Sequence, residues 1–167
     1  MAVTRRSILR VRVGGVQAHE LATPYPTVTL DTPALEAARL LTEHGRPGLI
    51  VVDENQHPTA VLPGSQVLRG MIPRYVQEDP ALARVMDEGW ADHMCDELAD
   101  KTVRDLMPEE RVTLPVVNPD DTVLEIAAIM AANRSPLVAV LETPGKSARL
   151  IGAVNVAQLL GRILPGA

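Results

Sequence analysis

Apolar and polar residues follow strand-like and helix-like periods in two separate stretches of the chain. The first stretch predicts strands over Thr27–Leu30, Leu49–Val52 and Thr59–Leu62, a helix that is capped by Thr32, has Pro33 in its first turn and stops at Gly45, and a helix over Ser65–Ile72. The second predicts strands over Thr113–Val117, Leu137–Leu141 and Leu150–Val154 and helices over Val123–Ala132 and Ala157–Leu164. The order strand, helix, strand, strand, helix is therefore predicted twice.

The repetition is also visible in residue identities. Residues 28–53 align with residues 117–142 at an offset of 89, and seven of these 26 positions are identical. Residues 60–73 align with residues 152–165 at an offset of 92. A duplicated unit of this size is typical of two supersecondary units packed against each other. It predicts two equivalent crevices and an approximate twofold axis.

A stretch between the two copies, residues 74–107, has no counterpart. Its apolar residues recur every four positions at Leu82, Met86, Trp90, Met94 and Leu98. This spacing predicts a single helix of about four turns that starts at Asp79 and Pro80 and has a weak point at Gly89. The stripe either packs on the core or on a second copy of the chain, which is the commoner use of such a stripe, or it binds a partner.

Composition narrows the classes of function. The chain has 16 basic and 21 acidic residues, a net charge of −5, and only 2% aromatic residues. Neither value favours general attraction for nucleic acid or anionic membranes, or base stacking on exposed rings. The single cysteine, Cys95, excludes an intramolecular disulfide framework. Because no apolar run approaches the roughly 18–20 residues of a membrane helix, and no signal peptide is evident, we expect a soluble cytoplasmic protein.

The first 15 residues are basic, with arginines at positions 5, 6, 10 and 12. The alternation of apolar and basic residues over Ile8–Val13 predicts a short strand or extended arm. Such an arm either covers a sheet edge or binds phosphate groups of a nucleic acid. Four arginines alone are unspecific, so the solvated strand is the expected structure and nucleic acid is not the expected partner.

The duplicated pattern, with a proline before the second strand and a glycine opening the third, resembles the cystathionine β-synthase (CBS) domain. Residues 102–142 and 150–164 carry the likeness most clearly, and residues 103–108 are similar to the linker that introduces such domains. The resemblance implies a stand-alone Bateman module of α+β fold, in which two βαββα repeats pack as a pseudo-twofold pair. Its parts would be a basic arm (1–15), repeat 1 (16–73), an inserted helical linker (74–101) and repeat 2 (102–167).

The resemblance also implies a function. CBS pairs commonly bind adenine nucleotides or adenosyl ligands, here AMP, ADP, ATP or S-adenosylmethionine, in the clefts between the repeats. We therefore expect a regulatory homodimer that is not an enzyme, needs no cofactor and signals to a separate effector protein. One alternative is a structural module for dimerisation or protein interaction with degenerate clefts. Another is nucleic-acid binding through the N-terminal arginines.

Ligand-binding residues are expected where the last helix of each repeat begins. The family motif there is Gly, an apolar residue, any residue, Thr or Ser, two further residues, then Asp. Here Pro63 and Gln66 occupy the hydroxyl and carboxylate positions in repeat 1, and Asn155 and Gln158 occupy them in repeat 2. Asn155 can replace the hydroxyl and Pro63 cannot, although the neighbouring Ser65 can, so the resemblance favours the repeat 2 cleft. Alternatively, these polar residues only cap the helices.

Two arginines and one pair of metal-binding residue types complete the set of candidates. Arg46 and Arg134 lie one and two residues before Pro47 and Pro136, where either could reach a phosphate group in a cleft. His93 and Glu97 are four residues apart and supply half a metal site at most, so no metal ligands are assigned.

Overall fold

The computed structural model describes residues 15–86, 89–110, 113–142 and 148–164. Repeat 1 contains β1 (Thr27–Val28), α2 (Ala34–His44), β2 (Gly48–Val52), β3 (Pro58–Pro63) and α3 (Gly64–Met71), after the short helix α1 (Ala18–Leu21). Repeat 2 contains β4 (Val116–Val117), α7 (Val123–Asn133), β5 (Leu137–Leu141), β6 (Leu150–Asn155) and α8 (Val156–Ile163). Between them lie α4 (Arg74–Glu78), a 3₁₀ turn (Pro80–Val85), α5 (Gly89–His93), a second 3₁₀ turn (Asp96–Leu98) and α6 (Val103–Leu106).

Each repeat builds one three-stranded sheet with the same topology. The strand orders are β1-β2-β3 and β4-β5-β6, and the first pair in each sheet is parallel while the second is antiparallel. The antiparallel register shifts at the same place in both, between Val51 and Val52 and between Val140 and Leu141. The predicted α+β fold of two βαββα repeats is confirmed.

The two sheets face each other across a shared apolar core. Every residue of β2 and β5 is buried. Ile50 and Val52 join Leu137 and Ala139 in the cluster between the sheets, while the alternate residues of β2 pack towards its own helices. A strand buried on both faces reads as a continuous apolar run, which is why these two strands were the easiest to predict.

The helix that precedes each repeat packs on the other repeat. The amide of Ala18 on α1 donates to the carbonyl of Asp121 at 2.8 Å, and Thr23 exchanges two backbone hydrogen bonds with Ala153 on β6. In the opposite direction, the amide of Val103 on α6 donates to the carbonyl of Thr32 at 2.9 Å. The crossed packing ties the two repeats together through their backbones.

One glycine is required by this crossing. A Cβ atom placed on Gly152 of β6 would lie 2.5 Å from the carbonyl oxygen of Thr23. A backbone oxygen cannot yield as a side-chain end can, so only glycine admits the preceding segment so close to β6. The glycine that opens the third strand of repeat 2 is therefore explained by the close approach of two backbones.

The prediction of one inserted helix of about four turns is wrong. The described part of residues 79–98 forms a 3₁₀ turn, the five-residue helix α5 and another 3₁₀ turn. Pro80 starts the first turn with the Asp79 carboxylate accepting from the amide of Ala81, and of the predicted stripe only Leu98 is buried. Leu98 inserts among the core residues of repeat 1. Docking of that one side chain outweighs a helical periodicity that Gly89, in the interior of the predicted helix, weakens.

Smaller differences concern the ends of elements. The outer strands β1 and β4 are two residues long, shorter than predicted. Pro33, and not Thr32, is the N-cap of α2, because the Thr32 hydroxyl accepts from the amide of Thr29 at 3.0 Å instead. Gly45 ends α2 at a φ of 55°, as predicted, and Arg134 takes the same left-handed conformation, at a φ of 48°, after α7.

The predicted basic arm lies almost wholly outside the described residues, which begin at residue 15. Within the described ranges, none of the helices is long and apolar enough to cross a membrane.

Candidate functional site

Each repeat has a strand-to-helix junction at the position of the family motif. Junction 1, residues 63–66, joins β3 to α3, and junction 2, residues 155–158, joins β6 to α8. In both, the first amide of the helix donates at 3.0 Å to the carbonyl of the proline before the central strand: Gly64 to Pro47, and Val156 to Pro136. The two junctions therefore have the same backbone framework and differ in side chains.

Junction 2 is closed by its own side chains. The side-chain oxygen of Asn155 accepts from the backbone amide of Gln158 at 2.9 Å. In return, the side-chain oxygen of Gln158 accepts from the backbone amide of Asn155 at 2.9 Å. The Gln158 side-chain amide then donates to the Thr23 hydroxyl at 3.1 Å. This capping box satisfies two amides at the helix N-terminus. A ligand at junction 2 must therefore displace bonds that the protein already makes.

Junction 1 is open by comparison. Pro63 is the N-cap of α3, and its side chain has no acceptor to cap the helix. Ser65 is exposed and Gln66 is half-buried. Among the described residues, neither side chain makes a hydrogen bond with another group. Backbone amides in the first turn of α3 therefore remain available as donors to a ligand. The carbonyl and amide groups of the Gln66 side chain remain available as well.

Gln66 is one of the residues that line a groove of about 630 Å³. The walls come from α3, from the insert and from the segment that follows α6, including Met107 and Pro108. Three basic residues and four acidic residues line it: Arg69, Arg74, Lys101, Glu97, Asp105, Glu109 and Glu110. The groove is thus formed by residues from both repeats and from the insert, and it can hold a ligand of nucleotide size.

Hydrogen bonds hold the walls of this groove in place. The Lys101 ammonium group donates to the carbonyl of Gly70 at 2.7 Å and lies 3.8 Å from the Glu97 carboxylate. The Gln77 side chain accepts from Arg69 Nε at 2.9 Å and donates to the carbonyl of Ile72 at 2.6 Å. These contacts fasten the insert to the end of α3. The groove therefore has preformed walls on the insert side.

Arg46 stacks on an aromatic ring that the sequence did not single out. Its guanidinium carbon lies 4.8 Å from the ring centre of Tyr25, and the Tyr25 hydroxyl donates to the carbonyl of Gly48 at 2.8 Å. Burial raises the pKa of Tyr25 to about 12, despite the nearby positive charge of Arg46. Arg46 Nε is buried, and in the described part of the chain it has no hydrogen-bond partner. The sequence feature that could have identified Tyr25 was its position, directly before Pro26 and just before β1.

The predicted site residues thus fall into two groups. Asn155, Gln158 and Arg134 belong to the repeat 2 side, where Arg134 is an exposed residue that ends α7. Gln66, Ser65 and Arg46 belong to the repeat 1 side. Their roles in binding remain predictions. Within the ranges that the structure describes, no cluster of three or more His, Cys, Asp or Glu side chains is arranged to hold a metal ion.

Comparisons with known proteins agree with the geometry. The family model for the CBS domain matches residues 18–72 and 103–165. A CBS-domain-containing protein of unknown function from Kribbella flavida is 50% identical, with a TM-score of 0.75 over 88% of this chain and 97% of that chain. The CBS domain of a membrane protein from Sphaerobacter thermophilus is 26% identical, with a TM-score of 0.64 over 91% and 90% of the two chains.

A more distant likeness shows the fold alone. CBSX2 in complex with AMP is 19% identical, with a TM-score of 0.59 over 88% of this chain and 95% of that chain. No curated protein sequence matches this chain. Since the family model covers both repeats, and they pack as two sheets with crossed preceding helices, the chain belongs to the CBS-domain family as a tandem pair.

Proposed function

We propose that this CBS pair is a regulatory module, without catalytic activity of its own, that binds an adenine nucleotide or adenosyl ligand at junction 1. The observation that carries the proposal is Gln66, which lies in the first turn of α3, where no side chain caps the helix, and lines a groove of about 630 Å³. The sequence alone favoured junction 2. The capping box of Asn155 and Gln158 argues for the reverse order, because its polar groups are already paired.

The chemistry of junction 1 suits the adenosine part that AMP, ADP, ATP and S-adenosylmethionine share. The Gln66 carbonyl oxygen can accept from a ribose hydroxyl, as the family carboxylate does. Met107 and Pro108 supply an apolar wall for a flat base. The amides in the first turn of α3 that follow Gly64 favour a negative group. The AMP complex of CBSX2 supports this ligand class as an analogy within the fold.

A route for signalling follows from the groove walls, which come from both repeats. Gln66 belongs to repeat 1, whereas Met107 and Pro108 follow α6 and lead into repeat 2. A ligand that touches both sides favours one relative arrangement of the repeats over others, and linkage then alters the affinity for whatever reads that arrangement. We expect a separate effector chain to recognise this arrangement, and we expect the module to act as a homodimer.

Titration calorimetry of the full chain with AMP, ADP, ATP and S-adenosylmethionine tests the proposal. We expect saturable binding of at least one of the four. Gln66→Ala should weaken it about tenfold, because one hydrogen bond to the ligand is lost. Gln158→Ala is the matched control in repeat 2 and should leave the affinity within about twofold.

Two results would contradict this assignment. Absence of heat and of any thermal shift at millimolar concentrations of all four ligands would remove the ligand class. Loss of binding in Gln158→Ala, with full binding in Gln66→Ala, would assign the ligand-binding site to junction 2 instead. If none of the four ligands binds, the closed capping box of junction 2 supports a second function, that of an interaction module whose clefts hold no ligand.

A further inference from the structure

The short helices α1 and α6 lie at equivalent places on opposite repeats. Their positions are related by an offset of 85, and each begins with a capping box. Their first amides donate to carbonyls that are related by the offset of 89 between the repeats: Ala18 to Asp121 and His19 to Pro119, Val103 to Thr32 and Arg104 to Leu30. The chain therefore enters α1 on repeat 2 as it enters α6 on repeat 1.

In repeat 1, the residues just before α6 cover the end of α3. Leu98 lies four positions before Thr102, the N-cap of α6, and it is fully buried. A Cβ atom placed on Gly70 of α3 would lie 3.4 Å from Leu98 Cδ2, so this side chain rests against the backbone of the helix. Leu106 of α6 belongs to the same cluster and is 4% exposed. The segment before α6 thus completes the core of repeat 1.

In repeat 2, the equivalent apolar residues are more exposed. Leu21 of α1, the counterpart of Leu106, is half-buried. Leu164, the counterpart of the half-buried Ile72, is 53% exposed, and the neighbouring Ile163 packs only partly against the repeat 2 core. We call Leu21, Ile163 and Leu164 the α1–α8 surface. It lies where the insert covers repeat 1, and solvent-exposed apolar side chains of this size favour a covering segment.

The sequence before α1 supplies a segment that fits this surface. At the offset of 85, the counterpart of Leu98 is Val13, which lies before the described residues. The alternation over Ile8–Val13 places Leu9, Val11 and Val13 on one side of an extended chain and the two intervening arginines on the other. One side of the arm is therefore wholly apolar, and the other side is suited to water.

Residue sizes are complementary as well. Arg162 of α8 takes the place that Gly70 has in α3, and it is exposed. Valine is smaller than leucine, so Val13 needs less room beside α8 than Leu98 needs beside α3. The stem of Arg162 can border an apolar side chain while its guanidinium group stays in water.

We propose that the N-terminal arm docks on the α1–α8 surface of its own chain, with Val13 in the role that Leu98 has in repeat 1. Val13 lies four positions before Gln17, the N-cap of α1, so the arm is held next to this surface by a short tether. Closing so short a loop costs little chain entropy, which favours the arm over a separate chain as the occupant. The inference depends neither on a ligand at junction 1 nor on a dimer.

Thermal unfolding of the full chain is the first experiment. Val13→Asn should lower the Tm by at least about 3 °C, because a polar side chain replaces a buried apolar one, and Arg12→Asn, the matched change on the other side of the arm, should alter it by less than about 1 °C. Hydrogen exchange should become faster in α1 and the last turn of α8 of Val13→Asn and stay unchanged in α3. Equal Tm changes in the two variants, or faster exchange outside repeat 2 alone, would overturn the proposal.

Crosslinking is the second experiment, and it needs no destabilised variant. In a Cys95→Ser background, Val13→Cys and Ile163→Cys in one chain should be joined by a short bismaleimide reagent, with a product that keeps one chain mass of 18.0 kDa. The same two substitutions carried on separate, mixed chains should not be joined. A product from the mixed chains would overturn docking within one chain and make the arm of a second copy the occupant. Absence of any product would overturn docking on this surface.

Discussion

Repeat 1 and repeat 2 share a backbone plan and differ in which of their surfaces remain open. Repeat 1 has an uncapped α3 beside a groove, and Arg39 and Glu43 of α2 are exposed. Repeat 2 has a capped α8, and Leu124 of α7 and Leu160 of α8 are exposed. The polar side chains of junction 2 are thus already paired within the protein, whereas the Gln66 side chain of junction 1 has no hydrogen-bond partner among the described residues.

The difference shows how two copies of a fold can keep the same core and present different surfaces. The buried positions are constrained in both copies by the same sheet and helix packing. The exposed positions carry no such constraint, so they are free to change independently. Pro63 against Asn155 distinguishes the uncapped junction from the capped one, and Arg39 against Ala128 is one difference between the exposed sides of α2 and α7. Few substitutions are therefore needed to give the two copies different exposed surfaces.

The largest expected effect tests whether the insert is part of repeat 1. Leu98 is fully buried in the repeat 1 core, so Leu98→Ala should lower the free energy of unfolding by about 2–5 kcal/mol. Leu82→Ala, an exposed position in the same insert, should cost less than about 1 kcal/mol. Urea unfolding measures both. Equal losses would mean that the insert packs as one unit and not through Leu98.

An intermediate effect is expected from exchanging the two junctions. Pro63→Asn places Asn three residues before Gln66, as in repeat 2, and should close junction 1 with a capping box. Stability should rise by about 1 kcal/mol while ligand affinity falls at least tenfold. Asn155→Ala should cost about 1 kcal/mol and leave the affinity unchanged. Unchanged binding by Pro63→Asn would show that the open helix terminus is not used.

The smallest effect concerns pH. The amide and hydroxyl of Thr122 bond the Glu125 carboxylate and hold its pKa below the ordinary value of 4.5. A depressed folded pKa contributes stability that is present above the unfolded pKa and is lost as pH falls through the folded pKa. Glu125→Gln should therefore reduce the fall in Tm between pH 5 and pH 3, by thermal unfolding.

Glu36→Gln is the matched control for this change. Glu36 has the same place in α2, but the N-cap there is Pro33, which has neither a hydroxyl group nor an amide hydrogen. Its substitution should leave the profile between pH 5 and pH 3 as in the wild type. An equal effect of both substitutions would trace the acid sensitivity to net charge and not to the capping box.

Most of the fold could be predicted because its signals are local. The buried runs Leu49–Val52 and Leu137–Leu141, and the glycine that ends α2, are decided within a few residues of chain. The capping boxes of α6 and α7, Thr102 with Asp105 and Thr122 with Glu125, are local as well, and they locate helix starts that the hydrophobic pattern alone leaves loose.

The insert and the junctions could not be predicted from local signals. The stripe from Leu82 to Leu98 has helical spacing, but the docking of Leu98 into repeat 1 decides the conformation of the segment. Gln158 and Gln66 are the same residue at equivalent positions. Only the nearby Thr23 and Asn155 in one case, and Pro63 in the other, give them different surroundings.

The sequence by itself determined the duplication, the family, the order of elements and the residues at each motif position, because hydrophobic period and residue identity are properties of the chain alone. The tertiary structure decided which preceding helix packs on which repeat and which junction is closed. These depend on contacts between residues about 70 to 135 positions apart, such as Thr32 with Val103 and Thr23 with Gln158, and local pattern carries no information about them.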